Sequence, residues 1–582
     1  MIKSTKMAQA VAAPFDVEKC SNDVHMLVVP YPARGHNLVC IQLARKFLPY
    51  GVRVTLANIF DNLSPDLLHV CQTENITVAN LGVCPADPGP GNLPFMGDVE
   101  SVQGETEQLV ANFASRTDSL PVTCILGDIL LGWTQNVADK FGIPRYVICT
   151  SRAGFLAAFL HMPTLAAQGI VPVQPPDASE LVDIPGLPPT RRGDLSPAVQ
   201  ASSLFCKYFF AQYVHRCCQP ALEAAGYFMN SFYELEPSCI DLLRSFPYEH
   251  ENSKGSSPVR SFFPVGPLVH DEYLQLLRLE VAEGSSFVEP GASYLRWLDR
   301  QPTDSVLYVN FGSIVSLSKR QIHELALGLE ASKQRFLLVV RPSTVKDSDE
   351  DLPLLPESFK AHTLETGFVQ SQWVNQLDVL SHPAVGGFLT HCGWNSTLES
   401  ICRGVPLLAW PFQADQMLNC RYYSIYAASN WPLLQFSLAG GLFKRFRVIF
   451  HLKTISSKDS LFMLDGRFLV DEAKTAVEVR KGENGFVSRE EVARAARELM
   501  AEPEGDAVKE NVRKLREKVK KAVCEADGSV HESVEKFLAE LKTSRRDCPT
   551  SPSNMTTRGS LIDHKSSILK HNLVQTCSPM GA

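Results

Sequence analysis

The sequence of 582 residues lacks an apolar run that is long enough to cross a membrane. A spanning helix needs about 20 consecutive apolar residues. The nearest candidate, "NWPLLQFSLAGGLF" (430–443), is shorter and leads directly into the basic stretch "KRFR". Residues 1–23 are too polar for a secretory signal and are expected to form a flexible N-terminus. These absences predict a cytoplasmic protein without stable membrane insertion.

An excess of positive charge and a pattern of paired cysteines are also missing. The 56 lysines and arginines are outnumbered by 63 aspartates and glutamates, which gives a net charge of −7. Such a chain has no general attraction to nucleic acid, so no nucleic-acid partner is expected. The 16 cysteines contain no C-x-x-C spacing and are expected to be reduced thiols that mostly pack in the core.

Two common nucleotide-binding motifs are absent as well. The chain has no G-x-x-x-x-G-K-[ST], which counts against a P-loop nucleotidase. It also has no G-x-G-x-x-G after its first strand, so a nicotinamide dehydrogenase stays only as a remote alternative. His391 and Cys392 are a poor metal-ligand pair, because neighbouring strand residues point to opposite faces, and no metal site is expected.

The sequence contains alternating strand and helix patterns, first in its N-terminal half and again in its C-terminal half. The apolar strand patterns are 25–30, 52–58, 122–128 and 145–149, and then 305–313, 335–342, 385–391 and 405–410. Helical patterns such as 38–51 and 318–332, the latter with its N-cap at Ser318, lie between them. Repeated βα units predict an α/β protein with two doubly wound parallel sheets, divided within about 267–291. In such folds ligands bind at the carboxyl ends of the strands, here in the cleft between two domains.

The stretch "FLTHCGWNSTLES" (388–400) places polar residues where a strand becomes a helix. The unpaired N–H groups of a first helical turn form an anion site, and Gly393 allows close approach of a ligand. Asn395 and Ser396 can donate hydrogen bonds there, and Glu399, one turn deeper, can accept from ribose hydroxyls. The simpler alternative is that Asn395 and Ser396 only cap the helix and that His391 is a packed strand end.

The flanks of this stretch extend the pattern. Residues 373–416, "WVNQLDVLSHPAVGGFLTHCGWNSTLESICRGVPLLAWPFQADQ", closely resemble the signature box of the plant family 1 UDP-dependent glycosyltransferases. The resemblance covers about 24–421 and 468–541 and includes "PYPARGH", "NSFYELE" and "VLYVNFGSIVSLS". It implies the GT-B fold, in which two Rossmann-like domains face each other across a cleft. The acceptor-binding domain would be 24–268, the linker 269–291 and the UDP-sugar-binding domain 292–541, followed by a disordered tail at 542–582.

The resemblance also implies contacts to each part of a UDP-sugar donor. The residues expected around the uracil and the ribose are Trp373, Val374, Gln376 and Glu399. Those expected to hold the diphosphate are His391, Asn395, Ser396 and Ser313. Those expected to contact the transferred sugar are Trp394, Asp415, Gln416 and Thr150. The terminal Gln416 resembles members that use UDP-glucose, and neither a metal nor a further cofactor is expected.

"VPYPARGHN" places His36 just past the first strand, at the position of the general base of the family. An isolated histidine is more often structural, but imidazole, with an ordinary pKa near 6.5, suits proton abstraction from a hydroxyl. Asp128, at the end of "TCILGD", matches the partner that orients the imidazole, and its simpler role is to cap the segment at 132. The resemblance implies an inverting transfer to a small lipophilic acceptor such as a phenolic, a terpenoid or a hormone, by a monomer.

Several positions depart from the family pattern. Asn375 replaces a usual proline, 37–39 replaces a proline-containing tract, and Leu338 stands where tryptophan is frequent. Residues 422–467 separate two segments that are continuous in the family, which suggests a retained intron or gene-model error, or otherwise an unusual loop. The insertion follows the predicted sugar contacts, so the alternative function is a catalytically impaired paralogue that still binds a nucleotide sugar.

Overall fold

The computed structural model describes most of the chain, which forms two compact units, residues 1–534 and 535–582. The described residues are 23–82, 99–185, 187, 190–195, 213–245, 260–270, 274, 293–313, 315–341, 345–346, 353–412, 415–420, 476–482, 485–525 and 527–546. Residues 1–22 of the predicted flexible N-terminus, most of the predicted linker, the whole of the 422–467 insertion and residues 547–582 of the predicted tail lie outside them.

The first half of the larger unit is built around a seven-stranded sheet. Strands β1 to β9 are His25–Val29, Arg53–Ile59, Thr77–Leu81, Cys124–Asp128, Arg145–Cys149, Leu181–Val182, Thr190–Arg191, Gly226–Met229 and Ser261–Pro264. The sheet order is β3-β2-β1-β4-β5-β8-β9, and every neighbouring pair is parallel, whereas β6 and β7 form a separate antiparallel pair. Helices α1 to α7 are Arg34–Phe47, Pro65–Thr73, Gln103–Ser115, Thr134–Phe141, Ala153–Ala167, Gln219–Ala221 and Pro237–Ser245.

The second half repeats this architecture around a six-stranded parallel sheet. Strands β10 to β17 are Val306–Asn310, Leu317–Ser318, Arg335–Val339, Val345–Lys346, Gly367–Gln370, Val385–Thr390, Leu407–Ala409 and Ala476–Glu478. The sheet order is β14-β12-β10-β15-β16-β17, and β11 pairs with β13. Helices α8 to α15 are Ser293–Leu298, Lys319–Ser332, Phe359–His362, Gln376–Leu380, Trp394–Arg403, Arg489–Met500, Pro503–Cys524 and Ser529–Arg546, the last of which begins in the larger unit and ends in the smaller one.

The central strands are buried on both faces, which explains their continuous apolar sequences. All five residues of β1, "HMLVV", are buried, and so are all six of β15, "VGGFLT". A shared apolar cluster joins the two halves, because Phe232 and Leu235 of the first half pack with the core around Trp394. The predicted pair of doubly wound parallel sheets is therefore confirmed.

The structure confirms one local prediction, a helix cap, and corrects two predicted boundaries. Ser318 caps α9 as predicted, since its hydroxyl accepts from the Gln321 N–H at 3.2 Å. The first helix was predicted at 38–51 but begins at Arg34. The prediction missed its first turn, because that turn is polar and shows no apolar periodicity. Helix α15 continues to Arg546, into the stretch predicted as a disordered tail.

Two other sequence expectations concern the cysteines and the membrane. The 11 cysteines in the described ranges form no disulfide, and all but Cys524 are buried. Across the residues that the structure describes, every helix is too short or too polar to span a bilayer.

Candidate active site

Three polar side chains of the first half follow neighbouring strands at one edge of the sheet. His36 lies in the first turn of α1, directly after β1; Asp128 ends β4; and Thr150 follows β5. Because β1, β4 and β5 are adjacent, these side chains come together. Nδ1 of His36 lies 2.7 Å from Oδ2 of Asp128 and 3.5 Å from Oγ1 of Thr150.

The carboxylate of Asp128 holds the imidazole of His36 in a defined orientation. Asp128 is fully buried, whereas 24% of the His36 side chain is exposed. The second carboxylate oxygen, Oδ1, accepts from the Leu130 N–H at 3.0 Å, so Asp128 also closes the turn that leads towards α4. Engagement of Nδ1 by the carboxylate leaves Nε2 as the ring nitrogen that can take up a proton.

The environment of His36 also sets its acidity. Burial lowers the pKa of His36, but the charge of Asp128, its hydrogen bond and the charge of Asp415 raise it, and the resulting pKa lies above the ordinary value. The imidazolium is therefore stabilised, which suits a group that must take up a proton and hold it.

Asp415, a predicted sugar contact of the second half, lies directly against the first half. Its Oδ2 accepts from the Ser151 hydroxyl at 2.5 Å and from Nδ2 of Asn419 at 3.0 Å. Ser151 follows Thr150 in the turn after β5. The two sheet edges therefore meet at the point where the predicted catalytic and sugar-binding residues lie.

Helix α12 begins immediately after β15, as the motif predicts. Its N-cap is Gly393, and no side chain caps its first turn. Asn395 and Ser396 are the second and third helical residues, so the alternative that they cap the helix is wrong. The absence of a side-chain cap keeps the first-turn N–H groups available for an anion.

The ring of His391 packs against two glycines that leave no space for side chains. A Cβ on Gly393 would clash with Nε2 of His391, and a Cβ on Gly312 would lie 2.7 Å from Cε1. Gly312 also has a φ of +72°, which only glycine adopts readily. Burial lowers the pKa of His391 to about 4, so the ring is neutral at pH 7 and can donate one N–H.

The residues predicted around the base and the ribose form one hydrogen-bond network. Nε2 of Gln376 donates to Oε2 of Glu399 at 2.6 Å and to the Ser396 hydroxyl at 3.1 Å. Oε1 of Gln376 accepts from Nδ2 of Asn310 at 3.3 Å and from the Tyr308 hydroxyl at 3.4 Å. Glu399 is buried, with 7% of its surface exposed, and the network fixes its orientation.

The predicted uracil platform, Trp373, is exposed and has arginines over its ring. The guanidinium carbons of Arg34 and Arg341 each lie 5.2 Å from the ring centroid. Arg341 also donates to the Gly312 carbonyl at 2.5 Å, and Arg34 forms an ion pair with Asp66 at 2.8 Å. Sequence reasoning missed both arginines, although Arg34 lies within "PYPARGH" and Arg341 within the strand pattern 335–342. Their contact with Trp373 depends on the packing of segments that are separate in the sequence.

Three further predicted donor residues lie along the same edge of the second sheet. Ser313 is exposed and follows β10, while Val374 is buried. Gln416 is almost fully buried, and its Oε1 accepts from the Phe412 N–H at 2.9 Å. Their placement brings them near the other donor residues, and their individual roles remain predictions.

Two residues predicted to hold the donor turn their side chains towards the first half. The indole N–H of Trp394 donates to the Asn230 carbonyl at 2.6 Å, and the ring is buried. The amide of Asn395 donates to the Gly35 carbonyl at 3.2 Å and accepts from Nδ2 of Asn230 at 3.4 Å. Sequence reasoning also missed Asn230, and the only available signal was its place in the quoted "NSFYELE" motif.

The departures from the family pattern are accommodated locally. Asn375 caps α11, because its Oδ1 accepts from the Leu377 N–H at 3.1 Å. Leu338 is fully buried in β12, and residues 37–39 form buried turns of α1. These substitutions therefore leave the surrounding elements intact.

The fold and the site define a GT-B glycosyltransferase, and comparisons with known proteins identify its family. Residues 292–432 match the family model described as "UDP-glucoronosyl and UDP-glucosyl transferase". The chain is 32% identical to the 7-deoxyloganetin glucosyltransferase of Gardenia jasminoides over 68% of this chain and 82% of that protein. It is 31% identical to UDP-glycosyltransferase 72B1 of Arabidopsis thaliana over 85% and 92% of the two chains.

A solved structure gives the same assignment. A UDP-glucosyltransferase from Polygonum tinctorium, capable of glucosylating indoxyl and bound to 3,4-dichloroaniline, superposes with a TM-score of 0.67 at 27% identity, over 89% of this chain and 98% of that one. The chain therefore belongs to the plant family 1 UDP-glycosyltransferases.

Proposed function

We propose that the protein transfers a hexose, most readily glucose, from a UDP-sugar to a hydroxyl or carboxyl group of a small lipophilic acceptor. The product would be a β-glycoside formed with inversion at the anomeric carbon. Phenolics, terpenoids and plant hormones are the acceptor classes considered. The names of relatives, which include 7-deoxyloganetin and (R)-mandelonitrile glucosyltransferases, support a small organic acceptor without specifying one.

The observation that supports the proposal is that the predicted base, His36, and a predicted sugar contact, Asp415, lie where the two sheet edges meet. His36 is paired with Asp128 at 2.7 Å, and the turn after β5 brings Asp415 within 2.5 Å of Ser151. A donor held along α12 with its sugar near Asp415 would have its anomeric carbon close to His36.

The catalytic steps follow from this arrangement. Nε2 of His36 takes the proton of the acceptor hydroxyl as the acceptor oxygen attacks the anomeric carbon. The carboxylate of Asp128 stabilises the resulting imidazolium. UDP leaves on the opposite face, so a single displacement inverts the anomeric centre. No covalent sugar–enzyme intermediate forms in this mechanism.

The second half would stabilise the departing diphosphate. The first-turn N–H groups of α12 and the neutral ring of His391, with Asn395, Ser396 and Ser313, supply hydrogen-bond donors. Trp373 and Val374 would bind the uracil, and Gln376 and Glu399 the base and ribose. Trp394, Asp415, Gln416 and Thr150 would surround the sugar. The donors belong to the protein, so neither a metal nor a cofactor takes part in the proposed mechanism.

The test is product analysis with UDP-glucose and a mixed library of phenolic, terpenoid and carboxylic acceptors. Mass spectrometry is expected to show products that are one hexose heavier, and proton NMR of the anomeric centre should show the β configuration. Absence of any hexosylated product, together with UDP binding, would favour the impaired paralogue. Size-exclusion chromatography with light scattering tests the proposed monomer, and imaging of a tagged chain in plant cells tests the proposed cytoplasmic location.

The insertion at 422–467 is the specific reason to retain the impaired paralogue as a second candidate. It comes six residues after Gln416 and lies outside the described residues. A variant that lacks 422–467 should be compared with the full chain for UDP release. Equal activity and stability would identify the insertion as a benign loop, whereas activity only in the shortened chain would mean that it disables the enzyme.

A further inference from the structure

Asn230 occupies the point where the two halves of the larger unit meet. It follows β8 and is fully buried. Its Nδ2 donates to the Thr150 carbonyl at 3.3 Å and to Oδ1 of Asn395 at 3.4 Å, and its Oδ1 accepts from the Leu268 N–H at 2.7 Å. One amide therefore connects the turn that contacts His36 with the helix that begins the donor site.

The backbone of Asn230 strengthens the same connection. Its carbonyl accepts from the indole N–H of Trp394 at 2.6 Å, so the first two residues of α12 both bond to Asn230. Asn395 in turn donates to the carbonyl of Gly35, the residue before His36, at 3.2 Å. The start of α12 is thus joined by hydrogen bonds to both β8 and the turn that carries His36.

We propose that Asn230 is a positioning residue that fixes the donor-binding start of α12 relative to His36 and Thr150. The inference rests on the proposed function, because it concerns the alignment of a donor held by α12. A displacement reaction needs its reacting atoms about 3–3.5 Å apart, and a misplacement of about 1 Å can lower the rate about a hundredfold. Removal of the amide frees the first turn of α12 to shift while the contacts within the second half persist.

The chain provides a matched control for this amide. Asn58 is the penultimate residue of β2, near the carboxyl end of that strand, and is also buried. Its Nδ2 donates to Oδ1 of Asp61 and Oδ1 of Asn80, both at 2.9 Å, and its Oδ1 accepts from the Leu63 N–H at 3.1 Å. It thus donates two hydrogen bonds and accepts one, as the Asn230 amide does, although one of its acceptors is a carboxylate, and all of its partners belong to the first half.

The experiment compares full-length Asn230→Ala with Asn58→Ala. Thermal midpoints, the stoichiometry and Kd of UDP binding, and kcat with UDP-glucose and a saturating acceptor are measured for each. We expect similar losses of thermal stability and a change in the Kd for UDP of less than about threefold in both variants. The kcat of Asn230→Ala should fall about 10- to 100-fold, whereas that of Asn58→Ala should change by less than about threefold.

A merely structural role gives a different result. Partial unfolding would reduce kcat in proportion to the number of UDP-binding sites lost, and that result overturns the inference. Equal losses of kcat in the two variants overturn it as well. If Asn230→Ala does not fold, Asn230→Asp keeps the acceptor for the Leu268 N–H but replaces the donor that faces Thr150 and Asn395. Its kcat should fall at least tenfold with UDP stoichiometry retained, and an unchanged kcat contradicts the inference.

Failure of the proposed function is recognised separately in the same measurements. Wild-type protein that neither binds UDP nor transfers glucose refutes the proposed function, and the positioning role falls with it. Wild-type protein that is active, beside an Asn230→Ala variant that behaves like Asn58→Ala, refutes the positioning role alone.

Discussion

The two sheet edges that form the candidate site are built differently for the chemistry proposed for them. The first edge depends on single side chains that follow strands far apart in the sequence, above all His36 and Asp128. These two residues are separated by 92 positions, yet Nδ1 of His36 lies 2.7 Å from Oδ2 of Asp128. The predicted diphosphate site of the second edge depends mainly on one continuous segment, in which strand β15, a glycine turn and helix α12 present backbone N–H groups. Proton transfer needs a tuned side chain, whereas binding a diphosphate needs many fixed donors.

This contrast predicts how each edge responds to substitution. Changes at the first edge should reduce the rate of transfer and leave nucleotide binding intact, since the proposed nucleotide contacts all lie on the second half. Changes at the second edge should weaken nucleotide binding as well. The following predictions test that division, beginning with the largest expected effect.

Replacement of the proposed base gives the largest loss. His36→Ala should lower kcat/KM about 100- to 10,000-fold, because general-base catalysis contributes about that much to a rate. The Kd for UDP, measured by calorimetry, should be unchanged within about twofold. A variant that retains more than a tenth of the wild-type kcat/KM would show that another group takes the proton.

Replacement of the buried carboxylate should have a smaller effect and should also change the pH dependence. Asp128→Asn removes the charge that raises the pKa of His36 and disturbs the imidazole tautomer, so kcat should fall, but by less than in His36→Ala because the base itself remains. The neutral imidazole of His36 is the proposed base, so the wild-type kcat/KM should rise with pH through an apparent pKa above the ordinary 6.5. In the variant the rise of kcat/KM with pH should move to lower pH. A rise at the same pH as in the wild type would contradict the proposal that Asp128 raises the pKa of His36.

A substitution at the second edge should show the opposite pattern. Gly312→Ala introduces a Cβ 2.7 Å from the His391 ring at a φ of +72° and should raise the Kd for UDP about tenfold or more. Gly142→Ala is the matched control, because Gly142 has a φ of +63° but a methyl group added there would meet no atom within 4 Å. Both variants carry the backbone strain, about 1 kcal/mol or more, so the comparison accounts for its cost to overall stability. What remains is the local effect at Gly312, above all the clash with the His391 ring. Equal UDP affinities would mean that the His391 ring does not contact the diphosphate.

The same contrast explains how much of the molecule the sequence could predict. The two parallel sheets follow from β–α periodicity, and the start of α12 follows from a motif whose residues are adjacent in the chain. His36 and Asp128 required the family resemblance, because nothing in the spacing of two residues 92 positions apart shows that they meet. The directions of the Trp394 and Asn395 side chains could not be predicted, since they depend on partners in the first half. The arginines beside Trp373 were missed for the same reason.

The smallest expected effect concerns a departure from the family pattern at the second edge. Asn375→Ala removes the cap of α11 and should lower the free energy of unfolding by about 1 kcal/mol.

Asn375→Pro, which restores the usual residue, loses the same cap and the N–H bond to the Tyr294 hydroxyl at 3.3 Å. The φ of Asn375 is −73°, close to the value that proline fixes, so reduced freedom of the unfolded chain should offset about 0.4–1 kcal/mol of this loss. The lost Tyr294 bond costs about 0.5–1.5 kcal/mol, which cancels most of that gain. Chemical denaturation should therefore place the proline variant within about 1 kcal/mol of the alanine variant, with kcat for UDP-glucose within about twofold of wild type in both. A proline variant clearly less stable than the alanine variant would mean that the bond to Tyr294, rather than the cap, holds this turn.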